Sequence, residues 1–269
     1  MKNTLQYHQT VQKLRKFFLD KNFIEVPTQS RLSILAACED PHTVSTFNYD
    51  GVIWPLPQTG QMWLEYELLK NPTWEGVFCI STSYRNEPNP VEGRHEKIFP
   101  MFEFESKGSY FDLINLEMEL LYTLGFNEVD HWSYDELCEK YKTDLLTSEH
   151  ETQMEKDFGN AIFLKYFPER TSPFWNMKHM SNGLFNKSDV ILFGQETIGS
   201  AERSCNKDEM RHFFYTISNG GYANKLFELF GKERVEKELE EFLSLDFFPR
   251  FGAGVGINRL CRACEKLKK

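Results

Sequence analysis

S-Y-R-N-E-P-N-P-V-E-G-R-H-E-K-I-F-P-M-F-E-F-E, residues 83–105, ends in strand-like aromatic alternation and holds a polar, proline- and glycine-bearing middle. Residues 77–81 and 101–105 read as two β-runs, and N-E-P-N-P-V-E-G between them reads as a long turn. The stretch is therefore a hairpin, which sets antiparallel pairing. It carries Arg85, Glu87, Arg94, His95 and Glu103 beside Phe99, a density of fixed charge around one ring that suits a flat, charged ligand. Taken alone it better suits a solvated hairpin with incidental ion pairs, which are common and weak.

On the N-terminal side, Val11, Leu14, Phe17 and Phe18 recur at helical spacing and predict an amphipathic helix over about 4–20, broken at Lys21-Asn22. F-I-E-V-P-T follows as a short strand stopped by Pro27, which suits an edge or an interface. Residues 31–50 read as a loop, 52–56 as a strand, and T-G-Q-M-W-L-E-Y-E-L-L as the opening of a helix. Beyond the hairpin an acidic helix is expected over 110–124, then S-Y-D-E-L-C-E-K-Y, where Ser133 and Glu136 have capping-box spacing. Strands are expected over 160–166 and 188–193, and one charged amphipathic helix over 224–243. F-G-A-G-V-G-I-N-R-L then reads as a glycine-rich strand entering a last helix. Clustered rather than strictly alternating elements predict an α+β fold, a mainly antiparallel sheet flanked by helices.

At 269 residues and 41% hydrophobic, the chain can bury one large core, and no Gly/Ser- or Pro-rich linker divides it, so a single catalytic domain over 1–269 is expected. No run nears the roughly 18 apolar residues of a membrane span, and the polar N-terminus lacks an apolar leader segment. Cys261 and Cys264 form a lone C-x-x-C with no second pair to complete a zinc site, and read as small helix-packing residues. Scattered cysteines in a chain of this size suit a reducing compartment, so a cytoplasmic location is expected. Of the net charge of −9, residues 111–160 supply 13 acids against 3 bases, which leaves the remainder close to neutral. Such a chain has no global basic field to steer a polyanion, which counts against a stand-alone nucleic-acid binder.

Gly252, Gly254 and Gly256 alternate and so share one face of the terminal strand, where missing side chains let a ligand approach the backbone; Arg259 follows at the strand-to-helix junction. A guanidinium fork donates two hydrogen bonds to two phosphate oxygens and keeps its charge, so Arg85, Arg94 and Arg259 are candidates for a triphosphate. Phe99 is a candidate for stacking on a purine.

Taken in order, F-I-E-V-P-T, Y-R-N-E with R-H-x-x-x-F, and G-A-G-V-G-I-N-R-L resemble the three signature motifs of class II aminoacyl-tRNA synthetases, over about 10–28, 77–106 and 250–266. The likeness covers nearly the whole chain and is nearest to the aspartyl/asparaginyl branch. P-L-P-Q-T-G-Q-M-W-L-E, L-L-T-S-E-H-E and Y-F-P-E-R look asparaginyl-like. The resemblance implies ATP and Mg2+ as cofactors, an aminoacyl-adenylate formed from asparagine, aspartate or a close analogue, and transfer of the acyl group to an acceptor. It implies Arg85 on the α-phosphate, Arg259 with Arg94 and His95 on the γ-phosphate, and Phe99 on adenine. Glu87, Gly254 and Gly256 would also border the nucleotide, and Asp189 and Glu196 would bind magnesium. At the amino acid, Glu39 and Glu103 would meet the ammonium, with Gln61 nearby, and Arg203 the side chain. Enzymes for aspartate carry a lysine near the slot of Leu64; with no cation expected there, Glu65 would offer an acceptor to an amide NH2.

Motif 1 further implies a homodimer. Ile98 and Asn258 stand where the family usually has acids, and G-S-A-E-R where glycines are more usual, which suggests a diverged paralogue. The chain starts at motif 1, without the anticodon-reading β-barrel of the branch, and with its acidic surface this gives tRNA binding little support. Two other readings stay open: an asparagine synthetase acting on aspartate, ATP and ammonia, and a catalytically silent regulatory or binding module.

Overall fold

The computed structural model describes residues 4–28, 33, 35 and 40–268. Helix α1 (Thr4–Leu19) buries the predicted Val11, Leu14, Phe17 and Phe18, and the chain reverses at Asn22, whose φ is 62°. Strand β1 (Phe23–Glu25) ends before Pro27, as expected. The stretch read as a loop contains β2 (Thr46–Tyr49), which pairs with β3 (Val52–Pro55), the strand expected over 52–56. Asp50 and Gly51 join them at φ 52° and 78°, the Asp-Gly signature of a tight hairpin turn, which was available in the sequence. Helix α2 (Gln61–Lys70) leads to β4 (Gly76–Tyr84) and β5 (Ile98–Lys107), the two arms of the opening hairpin.

Helix α3 (Tyr110–Leu124) coincides with its predicted span and stops at Gly125 in the left-handed region. Strand β6 (Asp130–Ser133) runs into α4 (Tyr134–Tyr141), where Ser133 and Glu136 do form a capping box. Helix α5 (Ser148–Phe158), β7 (Ala161–Pro168), β8 (Leu184–Leu192), β9 (Gln195–Arg203) and α6 (Lys207–Thr216) follow. The single helix expected over 224–243 is two, α7 (Gly221–Phe230) and α8 (Lys232–Leu243). Gly231, at φ 86° and ψ 134°, breaks them, because no helix continues through that backbone. Strand β10 (Arg250–Gly256) and α9 (Ile257–Lys266) complete the described chain.

The main sheet has the order β1-β4-β5-β10-β9-β8-β7-β6, with β1·β4 and β6·β7 parallel and the other pairs antiparallel. Alternation in M-F-E-F-E orients it. Phe102 and Phe104 turn to the face covered by α1, α3 and α9, where their rings lie 5.0 and 4.7 Å from that of Phe18. Burying such a side chain stabilises by about 2–3 kcal/mol, enough to fix the register, since a one-residue slip would send both rings to the other face. Glu103 and Glu105 consequently face the opposite side. Cys261 on α9 bonds Thr10 Oγ1 of α1 through Sγ at 3.4 Å, the helix-packing role expected of it. A second core around Trp175 joins α6, α7 and α8. Among the described residues no helix is long and apolar enough to cross a membrane.

Candidate active site

On the face away from α1, α3 and α9 lies a cleft of about 630 Å3, floored by β5, β9 and β10. Its walls come from the β4–β5 turn, the facing ends of β8 and β9 and the start of α9. Arg85, Glu87, Arg94, His95, Phe99 and Arg259 all line it, although Arg259 is far from the rest in sequence. The antiparallel pairing of β10 with β5 supplies the reason, because Gly254 lies opposite Glu103 and Gly256 opposite Met101. Arg85 Cζ sits 5.6 Å from the centre of the Phe99 ring, so a flat aromatic surface and a guanidinium adjoin.

Arg94 and Arg259 are held rather than left to sweep through solvent. Arg259 donates to the Glu196 carbonyl at 2.7 Å and to the Arg94 carbonyl at 3.3 Å. Arg94 donates to Glu151 Oε2 at 2.6 Å and to the Gly194 carbonyl at 3.1 Å. Such bonds fix two planar forks toward the cleft at little entropic cost on ligand binding. His95 Nδ1 accepts from the Val91 amide at 3.3 Å, within its own turn. Asn258, one of the departures from the family pattern, donates to Glu96 Oε2 at 2.5 Å, and Arg262 reaches Glu96 Oε1 at 3.1 Å. Ile98, the other, is 61% exposed and adds no polar group to the cleft.

Asp189 and Glu196, on strands joined by the tight turn at Phe193 and Gly194, converge over Gly199. A Cβ there would lie 3.1 Å from Glu196 Oε1 and 3.6 Å from Asp189 Oδ1, so the missing side chain leaves room for both carboxylates. Burial pushes the Asp189 carboxyl up to about 7, with Glu196 and Glu151 adding to the shift and Lys187, 2.6 Å away, opposing it. Glu151 is likewise raised, by burial and then by Glu196. A crowd of acids that resists full ionisation is the electrostatic condition a bound cation relieves. Lys187 supplies one such charge already. Neither Glu151 nor Lys187 was given a role from the sequence, although Glu151 ends the asparaginyl-like run L-L-T-S-E-H-E.

The amino-acid end differs from expectation. Glu39 lies outside the described residues. Gln61 lines the cleft and donates to Glu65 Oε1 at 2.8 Å and Asn176 Oδ1 at 3.3 Å. Glu103 is buried and accepts from the Gly60 amide at 2.7 Å and from the hydroxyls of Thr59 and Ser81, so it also caps the entry to α2. Glu65 does not line the cleft. Its side chain is fully buried, and Arg250 binds Oε2 through Nη2 at 2.7 Å and Nε at 3.0 Å, while Asn176 donates to Oε1 at 2.6 Å. Cations are therefore at hand, contrary to the reading that Glu65 is a free acceptor: burial alone would raise its carboxyl, but Arg250 and Arg203 hold it low.

Arg203 lines the cleft, with its Nη2 2.6 Å from Glu105 Oε1 and its Nε 3.7 Å from Glu65 Oε1. Glu105 is fully buried, and burial pushes its carboxyl up to about 7 against the pull of Arg203. Gly252 is accounted for by Glu105 rather than by a ligand. A Cβ at Gly252 would fall 2.1 Å from Glu105 Oε1 and 2.4 Å from the Phe104 carbonyl. Of the three alternating glycines, only Gly254 and Gly256 border the cleft.

A central antiparallel sheet with a charged cleft between its hairpin turn and its last strand–helix junction is the architecture of a class II synthetase core. The family model for tRNA synthetases class II (D, K and N) matches residues 1–269, and the chain belongs to that family. Among solved structures, asparaginyl-tRNA synthetase from Pyrococcus horikoshii complexed with asparaginyl-adenylate superposes with a TM-score of 0.80 at 20% identity, over 97% of this chain and 64% of that one. The Entamoeba histolytica asparaginyl enzyme in complex with asparaginyl-adenylate gives 0.73 at 19% identity, over 97% and 63%. A putative aspartyl-tRNA synthetase from Leishmania major Friedlin gives 0.77 at 14% identity, over 97% and 62%. The chain thus spans a little under two thirds of the length of these relatives. A comparison with curated proteins returns no match.

Proposed function

We propose that the protein activates the carboxylate of asparagine, aspartate or a close analogue with ATP, giving an aminoacyl-adenylate and pyrophosphate, and passes the acyl group to an acceptor. The reading rests on one observation. Arg85 from the β4–β5 turn, Phe99 from β5, Asp189 and Glu196 from β8 and β9, and Arg259 from α9 converge on a single cleft. Family membership, and the asparaginyl-adenylate in two of the similar structures, point the same way.

In this reading Phe99 stacks on adenine, and the neighbouring Arg85 grips the α-phosphate together with the attacking carboxylate. That grip brings the reactants into line and offsets charge that develops as the new bond forms. Arg259 and Arg94 hold the terminal phosphate in orientations their carbonyl and carboxylate partners impose. Two close carboxylates, one with its proton affinity raised by the other, are a fitting donor set for a phosphate-bound Mg2+, which takes one or two protein oxygens and draws the rest from phosphate and water. Asp189 and Glu196 would hold it, and it would neutralise phosphate charge. Glu103 would meet the substrate ammonium.

Amino-acid-dependent ATP–pyrophosphate exchange tests the reading: asparagine or aspartate should drive exchange in the purified protein. Absence of exchange with either, and with close analogues, would favour a silent binding module. With exchange established, the product formed on adding ammonia or total tRNA identifies the acceptor and separates an asparagine synthetase from a tRNA-charging enzyme. Self-association through α1 and β1 belongs to the same proposal. Strand β1 is an edge strand, and Leu19 at the end of α1 and Ile24 within β1 are 53% and 37% exposed. Sedimentation giving only monomer at micromolar concentration would refute it.

A further inference from the structure

Strand β8 brings a lysine into the cleft beside the acids. Lys187 and Asp189 are two apart on β8 and so share a face, and both line the cleft. Lys187 Nζ lies 2.6 Å from Asp189 Oδ1, with the two side chains only 19% and 11% exposed. Asp189 Oδ1 is also the oxygen that converges with Glu196 Oε1 over Gly199. The atom placed to share a cation with Glu196 is therefore already taken.

The seat of this ammonium is built into the sheet. On β7, Leu164 borders the cleft, so regular alternation would send Phe167 to the opposite face. A bulge between Lys165 and Phe167, with Tyr166 at φ 60°, reverses that alternation. Tyr166 turns toward α3, its ring 5.3 Å from that of Tyr110, and Phe167 turns to the cleft. The Phe167 ring centre then lies 3.5 Å from Lys187 Nζ, a cation–π contact that fixes the ammonium where it meets Asp189. A left-handed φ at a tyrosine is strained, and the strain here sets a ring against the lysine.

The neighbouring acids are matched too, Glu151 Oε2 lying 2.6 Å from Arg94 Nη2 and Glu196 Oε2 3.9 Å from Arg259 Nη1. A divalent cation that approaches Asp189 without a nucleotide meets an ammonium on its ligand and a like charge beside it. A triphosphate offers oxygens to which that ammonium can donate instead. We propose that Lys187 is a resident counter-cation that holds Asp189 Oδ1 until a nucleotide arrives, so that the site takes up Mg2+ together with ATP and not before it. The inference rests on the reading of Asp189 and Glu196 as the metal-binding pair and adds the residue that governs when they bind. Lys187 sets the order of binding and takes no part in bond making.

Mn2+, titrated in place of Mg2+ and followed by the electron paramagnetic resonance of the free ion, tests this without turnover. In the absence of nucleotide, Lys187→Met, which keeps an apolar stem against Phe167 and removes the charge, should bind Mn2+ at least about tenfold more tightly than the wild type, and Lys187→Arg should match the wild type. A non-hydrolysable ATP analogue should shrink the difference to less than about threefold, because metal and nucleotide affinities are linked reciprocally. An affinity in Lys187→Met equal to or weaker than that of the wild type, a Lys187→Arg that behaves like Lys187→Met, or a difference that the analogue leaves unchanged overturns the inference; amino-acid-dependent exchange would still leave adenylate formation standing. Failure of all three proteins to take up Mn2+ even with the analogue overturns the metal site and the inference with it. Should circular dichroism show Lys187→Met unfolded, the wild type alone decides. Acetylation of Lys187, read by mass spectrometry, should rise severalfold as Mn2+ is raised without nucleotide and displaces the ammonium, and unchanged labelling overturns the proposal.

Discussion

Replacing Glu117 with Gln should stabilise the protein at neutral pH, with a gain that grows as pH rises. Glu117 lies on α3, wholly buried beneath the cleft floor, and accepts from Ser200 Oγ at 3.2 Å, while its Oε1 has no partner among the described residues. Burial raises its carboxyl from 4.5 to about 8, Asp189 adding to the shift and Ser200 opposing it. Above pH 4.5 the unfolded chain releases this proton and the folded chain keeps it, so the folded state binds more protons. Stability consequently falls as pH climbs from about 4.5 to about 8, the reverse of a salt-bridged carboxylate. At pH 7 the interval is about 2.5 pH units, which at about 1.4 kcal/mol per unit is a cost on the order of 3 kcal/mol. Glutamine keeps the shape and a donor and has no proton to lose. Urea unfolding of both proteins should give midpoints that nearly coincide near pH 5 and separate toward pH 8, the variant being the more stable. A separation that does not change with pH, or a wild type more stable at about pH 8, would refute the reasoning.

Three other substitutions probe the site. Gly252→Ala should destabilise the fold by about 2 kcal/mol or more, because its Cβ would meet both the Glu105 carboxylate and the Phe104 carbonyl; an unfolding midpoint that does not move would show that β5 and β10 can separate there. Arg85→Ala should reduce exchange by about 100-fold or more with the melting temperature retained, and undiminished exchange would mean that another residue holds the reacting phosphate. Asp189→Asn should raise the Mg2+ concentration needed for half-maximal exchange by about tenfold; an unaltered requirement would place the metal elsewhere.

What the sequence disclosed, and what it hid, follows from how each feature is encoded. Strong period-two or helical patterns marked α1, α3, β4, β5 and β10, and the order of the three motifs identified the catalytic class. Strand β9 was not legible, because Q-E-T-I-G-S-A-E-R breaks its alternation with Gly199 and with polar groups that face a cleft instead of a core. Helices α7 and α8 merged because Gly231 interrupts an otherwise continuous amphipathic run. Glu65, Glu105, Glu117 and Arg250 were misread or passed over for one reason: a buried charge and a solvated one look alike until the partner is known. A clue did exist for Glu105. Gly252 opposes it in the ladder, and a glycine in a strand signals that something occupies the space its side chain would take.

Strand β10 lies between β5 and β9, yet every other strand of the sheet precedes it in the chain. Until residues 250–256 have been synthesised, the sheet can exist only as two separate halves, each with an open edge able to template pairing with another chain. The same segment completes the floor of the cleft and delivers α9 with Arg259. A chain interrupted before this point would keep two open sheet edges prone to self-association and, on the proposed reading, would lack the cleft floor and Arg259, so synthesis of this one strand governs solubility as well as the proposed catalysis.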